Sequence, residues 1–145
     1  MDFFTAMEVS ASGLSAERER MNVASSNLAN ANTTHGADGG PYRRQDVVVA
    51  AKQASGAISG GAASPGGVTA YGAVVQQVVA DQSAPRMEYD PGHPDANTDG
   101  YVAYPNVSPV EEMVDMITAS RAYEAGVTAL TTAVSMAERA LSIGK

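Results

Sequence analysis

The sequence of 145 residues contains no cysteine and no tryptophan, and it has only two phenylalanines. The lack of cysteine excludes disulfides, thiol catalysis and zinc sites built from thiolates. Large aromatic side chains supply much of the burial energy of a protein core. Their scarcity therefore predicts that an isolated copy of this chain is only weakly stabilised.

Basic residues are also scarce. Nine Lys and Arg stand against sixteen Asp and Glu, and the formal net charge is −7. Binding of nucleic acid or of an anionic lipid surface needs clustered Lys and Arg, so we expect neither partner. The first residues lack the basic segment and unbroken apolar run of a Sec signal peptide. No stretch reaches the roughly 20 apolar residues of a membrane-spanning helix.

What the sequence does contain is a regular apolar pattern at each end. The first pattern predicts a helix from about Thr5 to Asn30, begun by a capping box of Thr5 and Glu8. In both patterns apolar residues recur at steps of three, four or seven, which is typical of a helix that packs along another helix. The residues predicted to form this helix interface are Met7, Leu14, Met21, Leu28, Met113, Met116, Tyr123, Val127, Leu130, Val134 and Leu141.

The second pattern predicts a longer helix. Ser108 is a good N-cap, Pro109 suits the first helical position, and Glu111 completes another capping box. The apolar positions continue to Leu141, and Gly144 is the predicted end.

Between the helices the sequence is rich in glycine, proline and valine. Valine-rich runs over 45–52 and 68–82 predict two strands of a hairpin. The tract 53–67 between them consists mostly of Gly, Ala and Ser and is predicted to be flexible. Residues 83–107 are rich in proline and are predicted to be irregular.

These predictions define an α+β fold that is mainly α. The long N- and C-terminal helices pair as an antiparallel coiled coil, and a small region containing the hairpin lies outside them. We expect two units. Residues 1–34 and 108–145 form the helical core, and residues 35–107 form the middle region.

One segment imitates a calcium loop. Asp95, Asn97, Asp99 and Gly100 have the spacing that opens an EF-hand, but the twelfth position, where a bidentate Glu is needed, is Asn106. We therefore interpret the segment as a cluster of Asx turns. His35 and His93 have no second ligand at metal spacing and are interpreted as loop residues. We predict no catalytic, cofactor-binding or metal-binding residue, and no enzymatic activity.

Longer motifs carry a family resemblance. The segment 10–34 reads SASGLSAERERMNVASSNLANANTT and closely resembles the N-terminal signature of the bacterial flagellar axial proteins, the rod and hook family. The segment 111–145 resembles their C-terminal signature. Two internal segments, PYRRQDVVV and DPGHPDANTDGYVAYPNV, resemble proximal-rod subunits in particular. The motif residues are Asn27, Leu28, Asn30, Thr33, Ser120, Arg121 and Tyr123.

The resemblance implies a structural subunit of the proximal rod in the flagellar basal body. Such subunits leave the cytoplasm through the flagellar type III apparatus without a cleaved signal. They self-associate through their terminal helices into a tube that transmits torque and encloses the export channel. The implied partners are other rod subunits, the membrane ring and the export gate. No cofactor is implied.

Three points stay open in the sequence. Arg43 and Arg44 either contact carboxylates of a neighbouring subunit or lie in a solvated loop. Gly126 stands where the family pattern usually has Asn, which predicts either a local kink or a closer approach of another helix. The alternative function is that of a soluble coiled-coil adaptor or an export-related binding module, which would stay in the cytosol.

Overall fold

The structure of the chain is a computed structural model that describes residues 3–36, 39–54 and 70–143. Its two terminal helices are its longest elements. Helix α1 runs over Phe3–Ala29, and helix α2 runs over Pro109–Ile143. The start of α2 is the predicted one. The predicted end at Gly144 lies outside the described residues.

The predicted start of α1 is wrong. Thr5 lies inside the helix and is buried, so it is not the N-cap that the Thr5–Glu8 capping box requires. The predicted end is within one residue of the observed one. The helix ends where polar side chains form local hydrogen bonds that compete with those of the helix backbone. Asn30 Nδ2 donates to the Ser26 carbonyl at 2.8 Å, and Thr33 Oγ1 donates to Asn30 Oδ1 at 3.2 Å.

The predicted hairpin is confirmed. Strand β1 covers Gln45–Gln53 and pairs antiparallel with β2, Tyr71–Ala80. The register runs from Gln45 opposite Ala80 to Gln53 opposite Tyr71, with a bulge between Val48 and Val49. Two residues of the tract 53–67, which is predicted to be flexible, are described. Gln53 is the last residue of β1, and the backbone N–H of Ala54 donates to the Ala70 carbonyl at 2.9 Å. The rest of the tract lies outside the described residues.

The prediction of irregular structure over 83–107 is wrong in part. Strand β3, Arg86–Tyr89, pairs antiparallel with strand β4, Tyr101–Tyr104. Tyr89 and Tyr101 stand opposite each other, and their rings meet edge to face with centroids 5.3 Å apart. Such cross-strand aromatic pairs stabilise short sheets.

Helix α1 contacts α2, β1 and β2, whereas β3 and β4 contact only each other among the helices and strands. The hairpin lies close to α1 at Gly72, where an added Cβ would lie 2.5 Å from Ser12 Oγ. That hydroxyl accepts a hydrogen bond from the backbone N–H of Ala73 at 3.0 Å. The fold is therefore α+β and mainly helical, as predicted. None of the helices over the described ranges is long and apolar enough to cross a membrane.

Candidate assembly interface

The most completely bonded buried side chain is Asn27, near the end of α1. It is 1% exposed. Its Oδ1 accepts from the Gln45 backbone N–H and from Tyr42 Oη, both at 2.9 Å. Its Nδ2 donates to the Gln45 carbonyl at 2.8 Å and to Glu112 Oε2 at 3.0 Å. A side-chain amide has two donor hydrogens and two acceptor lone pairs, so Asn27 uses its full capacity.

The position of Gln45 explains why a side-chain amide fits there. Asp81 N–H donates to the Arg44 carbonyl at 2.7 Å, so Arg44 bonds across the hairpin. In an antiparallel ladder the next residue turns its N–H and carbonyl outward. Asn27 bonds both of these outward groups of Gln45 and so takes the place of a neighbouring strand at the edge of β1.

Glu112, in the first turn of α2, is the second residue around which these buried hydrogen bonds are arranged. It is 1% exposed, and its Oε1 accepts from Arg44 Nε at 2.6 Å. Arg44 NH2 also lies 3.6 Å from Asp115 Oδ2. Partial burial alone would lower the pKa of Arg44, but the hydrogen bond to Glu112 and the negative charges of Glu112, Asp46 and Asp115 together outweigh it and raise this pKa. A buried carboxylate is tolerable only when it is paired in this way.

We call this cluster the polar junction. Its members come from the end of α1, the segment that leads into β1, the first residue of β1 and the start of α2. They are Asn27, Tyr42, Arg44, Gln45 and Glu112. Asn106 supports it, since its Oδ1 accepts from the Arg44 backbone N–H at 3.1 Å. Because buried polar groups are costly to leave unpaired, the junction fixes how the middle region sits on the two helices.

The motif residues have different places. Asn27 belongs to the polar junction, and Asn30 and Thr33 form the turn after α1. Leu28, Ser120 and Tyr123 are half-buried, and Arg121 is exposed. The motif residues predicted from the sequence include Asn27 but not Glu112, its hydrogen-bond partner. The only available signal was a pair of adjacent acids at the start of α2, which the favourable interaction with a helix N-terminus already explains.

The predicted interface residues divide into two groups. Eight of them are half-buried: Met7, Leu14, Met21, Leu28, Met116, Tyr123, Leu130 and Val134. Three are exposed, namely Met113 (41%), Val127 (40%) and Leu141 (76%). The most buried positions of α2 are Glu112 and Ala119, which the apolar pattern did not include. Which of these side chains contact other subunits stays a prediction.

Gly126 allows a close approach between the helices. A Cβ at this position would lie 2.8 Å from Leu14 Cδ2. The structure therefore favours the closer helix approach over the kink. Arg43, in contrast, is exposed, and its NH1 donates to Gln82 Oε1 at 2.9 Å. A contact from Arg43 to another subunit stays a prediction, whereas Arg44 is bonded within the chain.

Substitutions at Gly126 test this approach. Gly126→Ala should change the free energy of unfolding by less than about 1 kcal/mol, because Ala favours a helix by about 0.5–1 kcal/mol and the flexible end of Leu14 can move. Gly126→Ile should destabilise the chain by about 1–3 kcal/mol through overpacking. Urea denaturation of the purified chain measures both. Equal stability of the Ile variant would mean that Leu14 does not occupy this space.

The segment that imitates a calcium loop is built from Asx turns, as interpreted. Asn97 Oδ1 accepts from the backbone N–H groups of Asp99 and Tyr101, both at 2.9 Å. Gly92 N–H donates to Asp90 Oδ1 at 3.1 Å. Among the described residues no group of three or more acids and histidines is placed to hold a metal ion.

Asn97→Ala should loosen the turn between β3 and β4, because two backbone N–H groups lose their acceptor. Each bond contributes about 0.5–1.5 kcal/mol, so amide exchange at Asp99 and Tyr101 should become about tenfold faster or more. Thr98→Ala, in the same turn, is the control and should leave exchange unchanged. Unchanged exchange in the Asn97 variant would contradict the role given to this side chain.

Comparisons with known proteins agree with the motifs. Residues 7–37 match the family described as flagella basal body rod protein, and residues 98–143 match the C-terminal region of flagellar basal body rod FlgEFG proteins. The chain is 43% identical to flagellar basal-body rod protein FlgC of Bacillus subtilis, over all of both chains.

Two further relatives extend this likeness to distant bacteria. Flagellar basal-body rod protein FlgC of Borreliella burgdorferi is 41% identical over 99% of this chain and 98% of its own. The protein of the same name from Escherichia coli O6:H1 is 39% identical over all of both chains. At such identity over the whole length, the chain belongs to the family of flagellar basal-body rod protein FlgC, whose members are structural subunits of the rod.

Proposed function

We propose that this rod subunit assembles through its two terminal helices, which form an antiparallel coiled-coil pair. Contacts at two levels support the pairing. Asn27 near the end of α1 bonds Glu112 at the start of α2, and Leu14 in the middle of α1 lies against Gly126 further along α2. Positions nearer the N-terminus of α1 therefore lie beside positions nearer the C-terminus of α2, which is the antiparallel arrangement.

The observation that carries assembly is the apolar surface that α2 leaves open. Outside the polar junction, α2 exposes large side chains along most of its length: Val110, Met113, Val114, Ile117, Val127, Met136, Leu141 and Ile143. A single helix rarely exposes so many large apolar residues unless another protein surface covers them. These residues, with the predicted interface positions, pack laterally against other rod subunits.

The polar junction also supports a division of the chain into two units. Residues 1–34 and 108–145 form the assembling core, and residues 35–107 form a lobe outside it. The polar junction joins the two units, because Asn27 and Glu112 of the core bond Tyr42, Arg44 and Gln45 of the lobe. Torque applied to the lobe therefore passes to the helices through this junction and through the packing of β1 and β2 on α1, rather than through a free hinge.

The proposed location is the proximal rod, between the export gate and membrane ring on one side and the distal rod on the other. The subunit reaches it through the flagellar type III apparatus without a cleaved signal and contributes to the wall of the export channel. The family membership and the motifs at both ends support this role.

The experiment is complementation of a strain that lacks its own rod protein of this family, followed by purification of basal bodies. The full chain should restore swimming and should be recovered in the basal bodies with its first residues intact. A chain that restores swimming but remains in the cytosol would contradict the role in the rod. Recovery of a chain that has lost its first residues would contradict export without a cleaved signal.

A further inference from the structure

The small sheet of β3 and β4 has one edge that is closed by hydrogen bonds. The Asp90 N–H donates to the Gly100 carbonyl at 3.0 Å, so the next pair of the antiparallel ladder, Tyr89 and Tyr101, turns its backbone groups outward. Asn97 bonds both outward groups of Tyr101. Its N–H donates to the Tyr101 carbonyl at 2.8 Å, and its Oδ1 accepts from the Tyr101 N–H at 2.9 Å. Asn97 therefore takes the place of a third strand beside β4.

The edge of β3 has no such cover. The same alternation turns the backbone N–H and C=O groups of Met87 and Tyr89 outward, away from β4. Within the described ranges no other group bonds these outward groups. Strand β3 contacts only β4 among the helices and strands, and all four of its residues are exposed. An open edge of this kind is a template for pairing with a strand of another chain.

The side chains of β3 decide which strand fits this edge. Met87 and Tyr89 lie on one face of the sheet and are 52% and 64% exposed. Arg86 and Glu88 lie on the opposite face, with side chains that are 60% and 59% exposed. Arg86 NH2 lies 3.5 Å from Glu88 Oε2, and such an exposed ion pair contributes little to stability. Both charges are therefore open to a partner strand.

A second copy of β3 has the complementary pattern. If two copies pair antiparallel with Met87 opposite Met87 of the second copy, Arg86 stands opposite Glu88 of the second copy, and this pairing occurs twice. On β4 the neighbours on that face are Val102 and Tyr104, which are uncharged. No like charges then stand directly opposite each other, whereas a register with Glu88 opposite Glu88 of the second copy would bring two carboxylates together. Opposite charges across a sheet stabilise it, and like charges destabilise it.

We infer that two copies of the free subunit pair through β3 and join their small sheets into one sheet of four strands. At its centre the two copies of Met87 exchange both backbone hydrogen bonds. The contact is isologous, so it closes after two copies and does not continue into a tube. It therefore belongs to subunits that have not yet entered the rod. Because it joins only two short strands, the contact is small and readily reversed. The inference goes beyond the proposed function, since it does not involve the terminal helices.

Sedimentation of the purified full chain over a series of concentrations tests the inference, and it should show an equilibrium between single copies and pairs. Arg86→Glu and Glu88→Arg should each weaken the association about tenfold or more, because each places like charges opposite each other twice. An equal mixture of the two variants should associate nearly as strongly as the wild type, since every contact between them joins opposite charges again. Both side chains are exposed, so circular dichroism should show the same fold in each variant.

Cross-linking locates the contact. The chain has no cysteine, so Met87→Cys provides a single thiol at the centre of the pair, and a short bis-maleimide should join two copies. Gln77→Cys, at an exposed position of β2, is the control and should give severalfold less product. Equal cross-linking of the two variants would overturn the inference. So would a wild-type chain that stays single at every concentration, or a mixture of the two charge variants that associates no more strongly than either alone.

Discussion

Asn27→Asp should destabilise the chain more than any other substitution that preserves side-chain size. The two side chains are nearly identical in shape, but the carboxylate has no hydrogen to donate. It would lose the bonds to the Gln45 carbonyl and to Glu112 Oε2, and it would stand 3.0 Å from the Glu112 carboxylate. Breaking the pairing of a buried charge costs about 3–5 kcal/mol. Urea denaturation of the purified chain at neutral pH measures the loss.

Two further variants make the result specific. Asn30→Asp applies the same change three residues later, where the amide donates only to the Ser26 carbonyl in its own turn, and it should cost about 1 kcal/mol. Glu112→Gln combined with Asn27→Asp should recover part of the loss, because the new amide can donate to the new carboxylate. Equal effects of the two Asp variants would mean that Asn27 is not the centre of the junction.

The terminal helices were predictable because their pattern is local. A helix that packs along another helix repeats its apolar residues at fixed steps, and caps such as Ser108 with Pro109 mark where it starts. The valine-rich hairpin was predictable for the same reason, since alternation and composition are properties of short segments. The start of α1 was not, because Thr5 and Glu8 match a capping box as residue types, whereas the helix already includes Thr5.

The polar junction could not be predicted, because it joins residues that are far apart in the chain. Glu112 is separated from Asn27 by 85 positions and from Arg44 by 68. Each alone has an ordinary explanation, as a first-turn acid, a helix-end amide or a loop arginine. Strands β3 and β4 were missed because the segment around them is rich in proline and turn residues. Their stability comes from pairing with each other, including the contact between Tyr89 and Tyr101, and this is not a local signal.

Leu130→Asp should abolish swimming while the protein is still produced. Leu130 is half-buried and lies one helical turn beyond Gly126, on the side of α2 that meets α1. Helix α1 carries no basic residue between Phe3 and Glu17, so a carboxylate at this depth would find no cation there. Burying an unpaired charge costs several kcal/mol, which is a large part of the stability of a small chain. The helix pair would then open, and subunits would fail to pack.

The matched control for Leu130→Asp is Thr131→Asp, which adds the same charge to the next residue of the same helix. Thr131 is exposed, and its hydroxyl only donates to the Val127 carbonyl in the preceding turn. In the free subunit its carboxylate would stay in water, so the free energy of unfolding should change by only about 0.5 kcal/mol and the helix pair should still form. Immunoblots of whole cells and of basal-body fractions separate loss of the protein from loss of assembly. If cells with Leu130→Asp swim normally, this face of α2 is not the seam against α1. If Thr131→Asp stops them as well, the side of α2 that carries Thr131 is covered in the rod.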